Sequence, residues 1–156
     1  MSKINIERAD ANFKYEVASH PGAENIKKCF SCGTCTGACP VFRVESDYNP
    51  RKIIRQILLG LRKEVLQSKE IWLCARCYSC TAHCPQGVSF ADIIVVLREM
   101  AIQEGYAPKN ILKKIDEITD CANEFRKDCI NRITGNNSLS EHEIVSKVRT
   151  KVAGLR

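Results

Sequence analysis

No glycine-rich G-x-G-x-x-G loop occurs in the 156 residues, so a flavin or nicotinamide dinucleotide held by this chain itself is not expected. No serine or cysteine sits in a recognisable nucleophile setting, and no catalytic residues are expected. The longest uncharged aliphatic run, Ile93 to Leu97, is far too short to cross a bilayer. The opening residues, Met1-Ser2-Lys3-Ile4-Asn5-Ile6-Glu7, lack the apolar segment of a signal peptide and carry charge by the third position. These absences lead to the expectation of a cytoplasmic protein without membrane insertion. In that reducing setting cysteines serve as metal ligands rather than as disulfides.

Cysteine is what the chain has in excess. Eight of its ten cysteines fall in two copies of C-x-x-C-x-x-C-x-x-x-C-P, the run that binds iron–sulfur clusters in bacterial ferredoxins. The first copy is Cys29-Phe30-Ser31-Cys32-Gly33-Thr34-Cys35-Thr36-Gly37-Ala38-Cys39-Pro40. The second, 45 positions later, is Cys74-Ala75-Arg76-Cys77-Tyr78-Ser79-Cys80-Thr81-Ala82-His83-Cys84-Pro85. Thiolate is the soft ligand that each iron of a sulfide-bridged cubane needs. Spacings of two residues let one tight loop reach three corners, and small residues such as Gly33, Thr34, Ala75 and Ser79 let backbone amides approach the cluster sulfurs.

In two-cluster ferredoxins the fourth cysteine of each run ligates the other cluster. On that rule Cys29, Cys32, Cys35 and Cys84 hold one [4Fe–4S] cluster, and Cys74, Cys77, Cys80 and Cys39 hold the second. Uncrossed ligation, each run closing its own cluster, is the alternative. Zinc knuckles and a disulfide scaffold are disfavoured, because paired C-x-x-C units would be separated by a longer gap in a zinc site. Clusters with all their ligands from protein pass single electrons and bind no substrate.

The formal charge of +6 counts every cysteine as neutral; with two clusters bound it falls to about +2. The basic balance is therefore weak support for nucleic-acid binding, and no nucleic-acid partner is expected. A basic face from Arg51 to Lys63 is either solvated or a docking surface for an acidic partner.

Helical periodicity dominates the rest. Ile4 and Ile6 alternate with polar residues as in a brief edge strand. Asp10 is a candidate N-cap for a helix bearing Phe13 and Val17, stopped by His20-Pro21-Gly22. A polar turn runs through Ser46-Asp47-Tyr48. Asn49-Pro50 opens a helix with Ile53, Ile54, Ile57, Leu58 and Leu61 on one side, and Gly60 breaks it. Residues 64–73 read as one short helix ending in Trp72, a core-packing residue that lies close to the next motif. Ser89 caps a helix to about Glu104, whose buried face carries Phe90, Ile93, Ile94, Leu97, Met100 and Ala101. Pro108 opens another along Ile111, Leu112, Ile115, Ile118, Ala122 and Phe125, with Cys121 and Cys129 as buried thiols. Ser140-Glu141-His142-Glu143 has the form of a capping box. The expected fold is mainly α: a helical ferredoxin-like domain over residues 1–106 and a C-terminal helical extension over 107–156.

The 34-residue gap between the motifs, filled by the Asn49-Pro50-Arg51-Lys52-Ile53-Ile54-Arg55 helix, resembles the α-helical ferredoxin domain. Cys32-Gly33-Thr34-Cys35-Thr36, Asn49-Pro50-Arg51-Lys52-Ile53-Ile54, Leu59-Gly60-Leu61, Trp72-Leu73-Cys74 and Cys84-Pro85-Gln86-Gly87-Val88 are similar to the C subunit of heterodisulfide reductase. That resemblance covers roughly residues 5 to 106. It implies a non-catalytic, electron-transferring subunit of an oxidoreductase complex. A flavin-containing A subunit would feed electrons in, and a B subunit with cysteine-rich C-C-G motifs would reduce the disulfide. This chain has no adjacent cysteine pair, so it is not the B subunit. The same relay module also suits methylene-tetrahydrofolate reduction, sulfur oxidation, hydrogenase coupling or a free ferredoxin-like carrier.

Overall fold

The computed structural model describes residues 9–136 and 139–154. The strand expected around Ile4 and Ile6 lies outside them. Among the described residues the chain is helical with no strand, as the mainly α reading required. It divides into two compact units, Met1–Ala107 and Pro108–Arg156.

Among the described residues the first unit has eight helices, α1 (Phe13–Ala18), α2 (Thr34–Gly37), α3 (Pro40–Val44), α4 (Pro50–Leu58), α5 (Arg62–Leu66), α6 (Glu70–Leu73), α7 (Ser79–Ala82) and α8 (Phe90–Gln103), and a 3₁₀ turn over Glu24–Lys28. Most are one or two turns long, too short to be stable alone. Their stability comes from one shared core, to which α8 is central. Phe90, Ala91, Ile93, Ile94, Val96, Leu97, Met100 and Ala101 of α8 are all buried, and α1, α5, α6 and α7 pack on it. This is why the helix is apolar nearly all round.

Helix α4 starts where Asn49-Pro50 said it should: the Asn49 side chain accepts the Lys52 backbone N–H at 3.0 Å. Its Ile53, Ile54 and Ile57 are buried, while Arg51, Lys52 and Arg55 face solvent. It ends in a Schellman pair, Gly60 N–H to the Ile57 carbonyl and Leu61 N–H to the Gln56 carbonyl. Gly60 has φ +76°, and a Cβ there would stand 2.3 Å from the Asp10 carbonyl oxygen. That close approach lets the Asp10 N–H bond to the Gly60 carbonyl at 2.8 Å, which anchors the segment leading into α1. The same bond pattern closes α8 at Gly105.

Several local expectations change. Residues 64–73 form two helices, α5 and α6, with a break near Ser68. Asp10 accepts the Asn12 N–H at 2.9 Å, one turn ahead of the helix, rather than capping α1 itself. Ser89 makes no cap bond to α8; its hydroxyl donates to Asp92 instead. The turn through Ser46 and Asp47 forms, closed by the Tyr48 N–H on the Glu45 carbonyl, but the Tyr48 side chain is fully buried. Arg62 is not free for a partner: its guanidinium is ion-paired with Glu16 and Glu104 and stacks 5.2 Å from the Phe13 ring.

The second unit is a hairpin of α9 (Ile111–Ile133) and α10 (Glu141–Gly154). Asn110, not Pro108, precedes α9 as its cap residue. The capping box of α10 is formed: Ser140 N–H donates to Glu143 Oε2, and the Glu143 N–H returns to Ser140 Oγ at 3.3 Å. Cys121 and Ile144 are buried and Cys129 half-buried, while Ile118, Phe125 and Ile133 remain exposed. Two helices alone cannot cover the long apolar stripe that the sequence carries. Lys147 reaches the buried Asp128 carboxylate at 3.3 Å, which gives that charge a partner.

Candidate iron–sulfur centres

The two motifs adopt one backbone conformation twice. Ser31 and Arg76, 45 positions apart, have φ +60° and +49°; Gly33 and Tyr78, the next equivalent pair, have φ +87° and +59°. Alternation of left-handed with ordinary residues turns successive N–H groups towards one side, the concave arrangement that receives sulfide or phosphate. Each loop then enters a single helical turn, α2 or α7, and these two turns pack on each other.

Equivalent threonines fasten both turns to the start of a longer helix further along the chain. Thr36 donates to the Asn49 side chain at 3.0 Å and accepts the Arg51 N–H at 3.1 Å, joining α2 to the start of α4. Thr81 bonds to Ser89 at 3.1 Å, joining α7 to the start of α8. Ser79 donates to the Ala38 carbonyl at 3.1 Å and ties the second motif back to the first.

The cysteines line two cavities. One is lined by Cys39, Cys74, Cys77 and Cys80 together with Pro40, Val41, Tyr48 and Phe90. The other is lined by Cys29, Cys32, Cys35 and Cys84 together with Arg51, Ile54, Val88 and Phe90. Phe90, fully buried, is common to both walls. Cys32 and Cys77 are exposed, whereas Cys39 and Cys80 are buried. His83 lines neither cavity; its Nδ1 lies 2.8 Å from the Ser79 carbonyl of its own turn.

The donor set suits a cluster. Each cavity presents four sulfurs in otherwise largely apolar walls. N–H groups already face two of the sulfurs, Arg76 to Cys74 at 3.4 Å and Val88 to Cys84 at 3.3 Å. Burial pushes the Cys80 thiol up to about 11 and raises that of Cys35, so iron must displace their protons to be bound there. The exposed Cys32 thiol is lowered, chiefly by its hydrogen bond with Thr34.

Two further residues complete the second centre. The Tyr48 hydroxyl is buried with no hydrogen-bond partner among the described residues, and Tyr48 lines the same cavity as Cys39, Cys74 and Cys80. Burial, then the Cys74 thiolate, raises its pKa far above the ordinary tyrosine value. A buried hydroxyl left unpaired costs about 1–3 kcal/mol, so the cavity fits a group bearing further acceptors. Arg98, buried in α8, donates to the carbonyls of Ile71 at 2.8 Å, Trp72 at 3.0 Å and Cys74 at 2.9 Å. It holds the chain just before the motif and lies 5.9 Å from the half-buried Trp72 ring. Sequence reasoning missed both. Arg98 is the only basic residue in the long apolar run of α8, and Tyr48 occupies the position before an N-cap, where an apolar side chain staples the helix start.

Comparison with known proteins agrees. Residues 25–88 match the 4Fe–4S dicluster domain family. The chain is 40% identical to the second iron–sulfur C subunit of the CoB–CoM heterodisulfide reductase of Methanocaldococcus jannaschii, over 67% of this chain and 59% of that protein. It is 46% identical to the C2 subunit of the H2/formate:CoB–CoM heterodisulfide, ferredoxin reductase of Methanococcus maripaludis, over 54% of this chain and 45% of that one. A protein of Archaeoglobus profundus, described as like the heterodisulfide reductase C subunit, is 35% identical, over 57% and 47% respectively. The matched part of the chain spans about half the length of these relatives. Among the described residues no helix is long and apolar enough to cross a membrane. With two four-cysteine cavities, a 4Fe–4S dicluster domain match over residues 25–88 and these relatives, the chain is a homologue of the iron–sulfur C subunits of heterodisulfide reductases, which supports an iron–sulfur electron-transfer role.

Proposed function

We propose that this chain is the relay subunit of a heterodisulfide reductase-type complex in the cytoplasm, taking electrons from a flavin-containing A subunit, then delivering them to a disulfide-reducing B subunit. The observation that supports this best is the grouping of eight cysteines around two cavities that share the Phe90 wall. It also supports crossed ligation, with Cys29, Cys32, Cys35 and Cys84 as one ligand set and Cys74, Cys77, Cys80 and Cys39 as the other. When bound, the clusters supply one-electron redox chemistry.

The protein's own contribution is positional. Thr36 and Thr81 fasten the two ligand loops to α4 and α8, Arg98 fixes the approach to Cys74, and Phe90 keeps water from between the centres. Exposed Cys32 and Cys77 give each centre an edge towards solvent, where a partner can exchange electrons. Residues 1–106 form the dicluster domain in this reading, and 107–156 an extension.

Anaerobic purification with analysis of metal, sulfide and co-purifying proteins tests the proposal. About eight irons and eight sulfides per chain are expected, with flavoprotein and C-C-G-containing partners. A chain that carries only zinc overturns it. Partners of a different oxidoreductase would keep the relay and replace its ends.

A further inference from the structure

We propose that the Tyr48 hydroxyl donates a hydrogen bond to the Cys74 sulfur when the second centre is loaded, and that this bond raises the reduction potential of that centre alone. The inference rests on the ligand reading above. Tyr48 is fully buried, lines the cavity of Cys39, Cys74, Cys77 and Cys80, and does not line the other. Its hydroxyl is a buried side-chain polar atom with no hydrogen-bond partner among the described residues, in a cavity whose wall also holds Cys74. A phenol has a proton to give, and a cysteinate bound to iron is an acceptor.

The backbone keeps the hydroxyl on that target. Tyr48 directly precedes Asn49, whose side chain is committed to Lys52 N–H and Thr36 Oγ1, so the start of α4 is held against the first motif. The Tyr48 N–H is itself bonded to the Glu45 carbonyl at 3.1 Å. The first centre is furnished differently. Thr34 Oγ1 lies 3.2 Å from its exposed Cys32, where water competes, and no tyrosine is among the residues that line that cavity. A donor in a dry cavity acts more strongly on a neighbouring charge than one at the surface.

Adding an electron makes the centre more negative, and a hydrogen bond to its sulfur stabilises that added charge. The phenol keeps its proton throughout, so no proton is transferred with the electron. Tyr48 is thus a positioning and tuning residue that makes the two centres inequivalent.

The test is an EPR-monitored redox titration of the intact protein and its Tyr48→Phe variant. Cys77→Ser and Cys32→Ser serve as labels for the second and first centres. Tyr48→Phe is expected to retain both cluster signals and to move the centre marked by Cys77→Ser to a more negative potential, leaving the other where it was. Electron–nuclear double resonance of the wild type in D₂O is expected to show one strongly coupled exchangeable proton that the variant lacks. Unchanged potentials with both clusters present, or a shift confined to the centre marked by Cys32→Ser, overturn this inference alone. A wild type without two cluster signals overturns the ligand reading itself.

Discussion

The two cysteine loops share a sequence pattern, a backbone path and a threonine anchor, yet they sit in different surroundings. The first borders Arg51 and solvent-facing Cys32; the second is backed by a buried phenol, a buried guanidinium and two buried cysteines. The lesson is that a repeat supplies equivalent ligands, while the elements outside it decide how each centre behaves. Residues 41–49 between Pro40 and α4 outnumber residues 86–89 between Pro85 and α8, and the longer linker is what brings Tyr48 into the second cavity.

The largest effect should come from removing what both loops share. Chelating iron under anaerobic conditions is expected to abolish most helical signal of the first unit, because its one-turn helices are fastened through the cavities. Far-UV circular dichroism reads this, and retained helicity would show that the apolar core suffices. Next, Cys84→Ser breaks the loops apart: it should alter the EPR signal of the centre held by Cys29, Cys32 and Cys35, although Cys84 belongs to the other run. A change limited to the Cys74, Cys77 and Cys80 centre would refute crossed ligation.

A smaller, one-sided effect is expected from Arg98→Met, which leaves three carbonyls without their donor. A cost of about 2–3 kcal/mol in urea unfolding of the iron-loaded protein is expected. The second centre should become more labile to air while the first does not. Equal lability would show that Arg98 serves the common core. The smallest contrast concerns the left-handed positions. Gly33→Ala should cost about 1 kcal/mol from backbone strain alone. Tyr78→Gly relieves that strain but loses the hydroxyl's 3.1 Å bond to Asp92, so its net effect on thermal stability should be near zero.

Much of this was legible in the chain. The cysteine spacing announced two clusters, Asn49-Pro50 announced α4, and Ser140 with Glu143 announced the start of α10, because each depends on contacts within a few residues. The apolar stripe of α8 was legible for the same reason, since helical period needs only local counting. Partner choices across the fold were not. Arg62 read as a surface charge, yet it bridges Glu16 and Glu104, residues 46 and 42 positions away.

The sequence by itself determined the chemistry: soft ligands in tight loops, repeated once, in a helical frame. Tertiary structure decided the company each ligand keeps. It grouped Cys84 with the first three cysteines and Cys39 with the later three, and it made Phe90 the shared wall. It also turned Tyr48 inwards and buried Arg98 beside Cys74. Ligand identity is written in covalent spacing, whereas burial and long-range hydrogen bonds exist only once distant segments have packed.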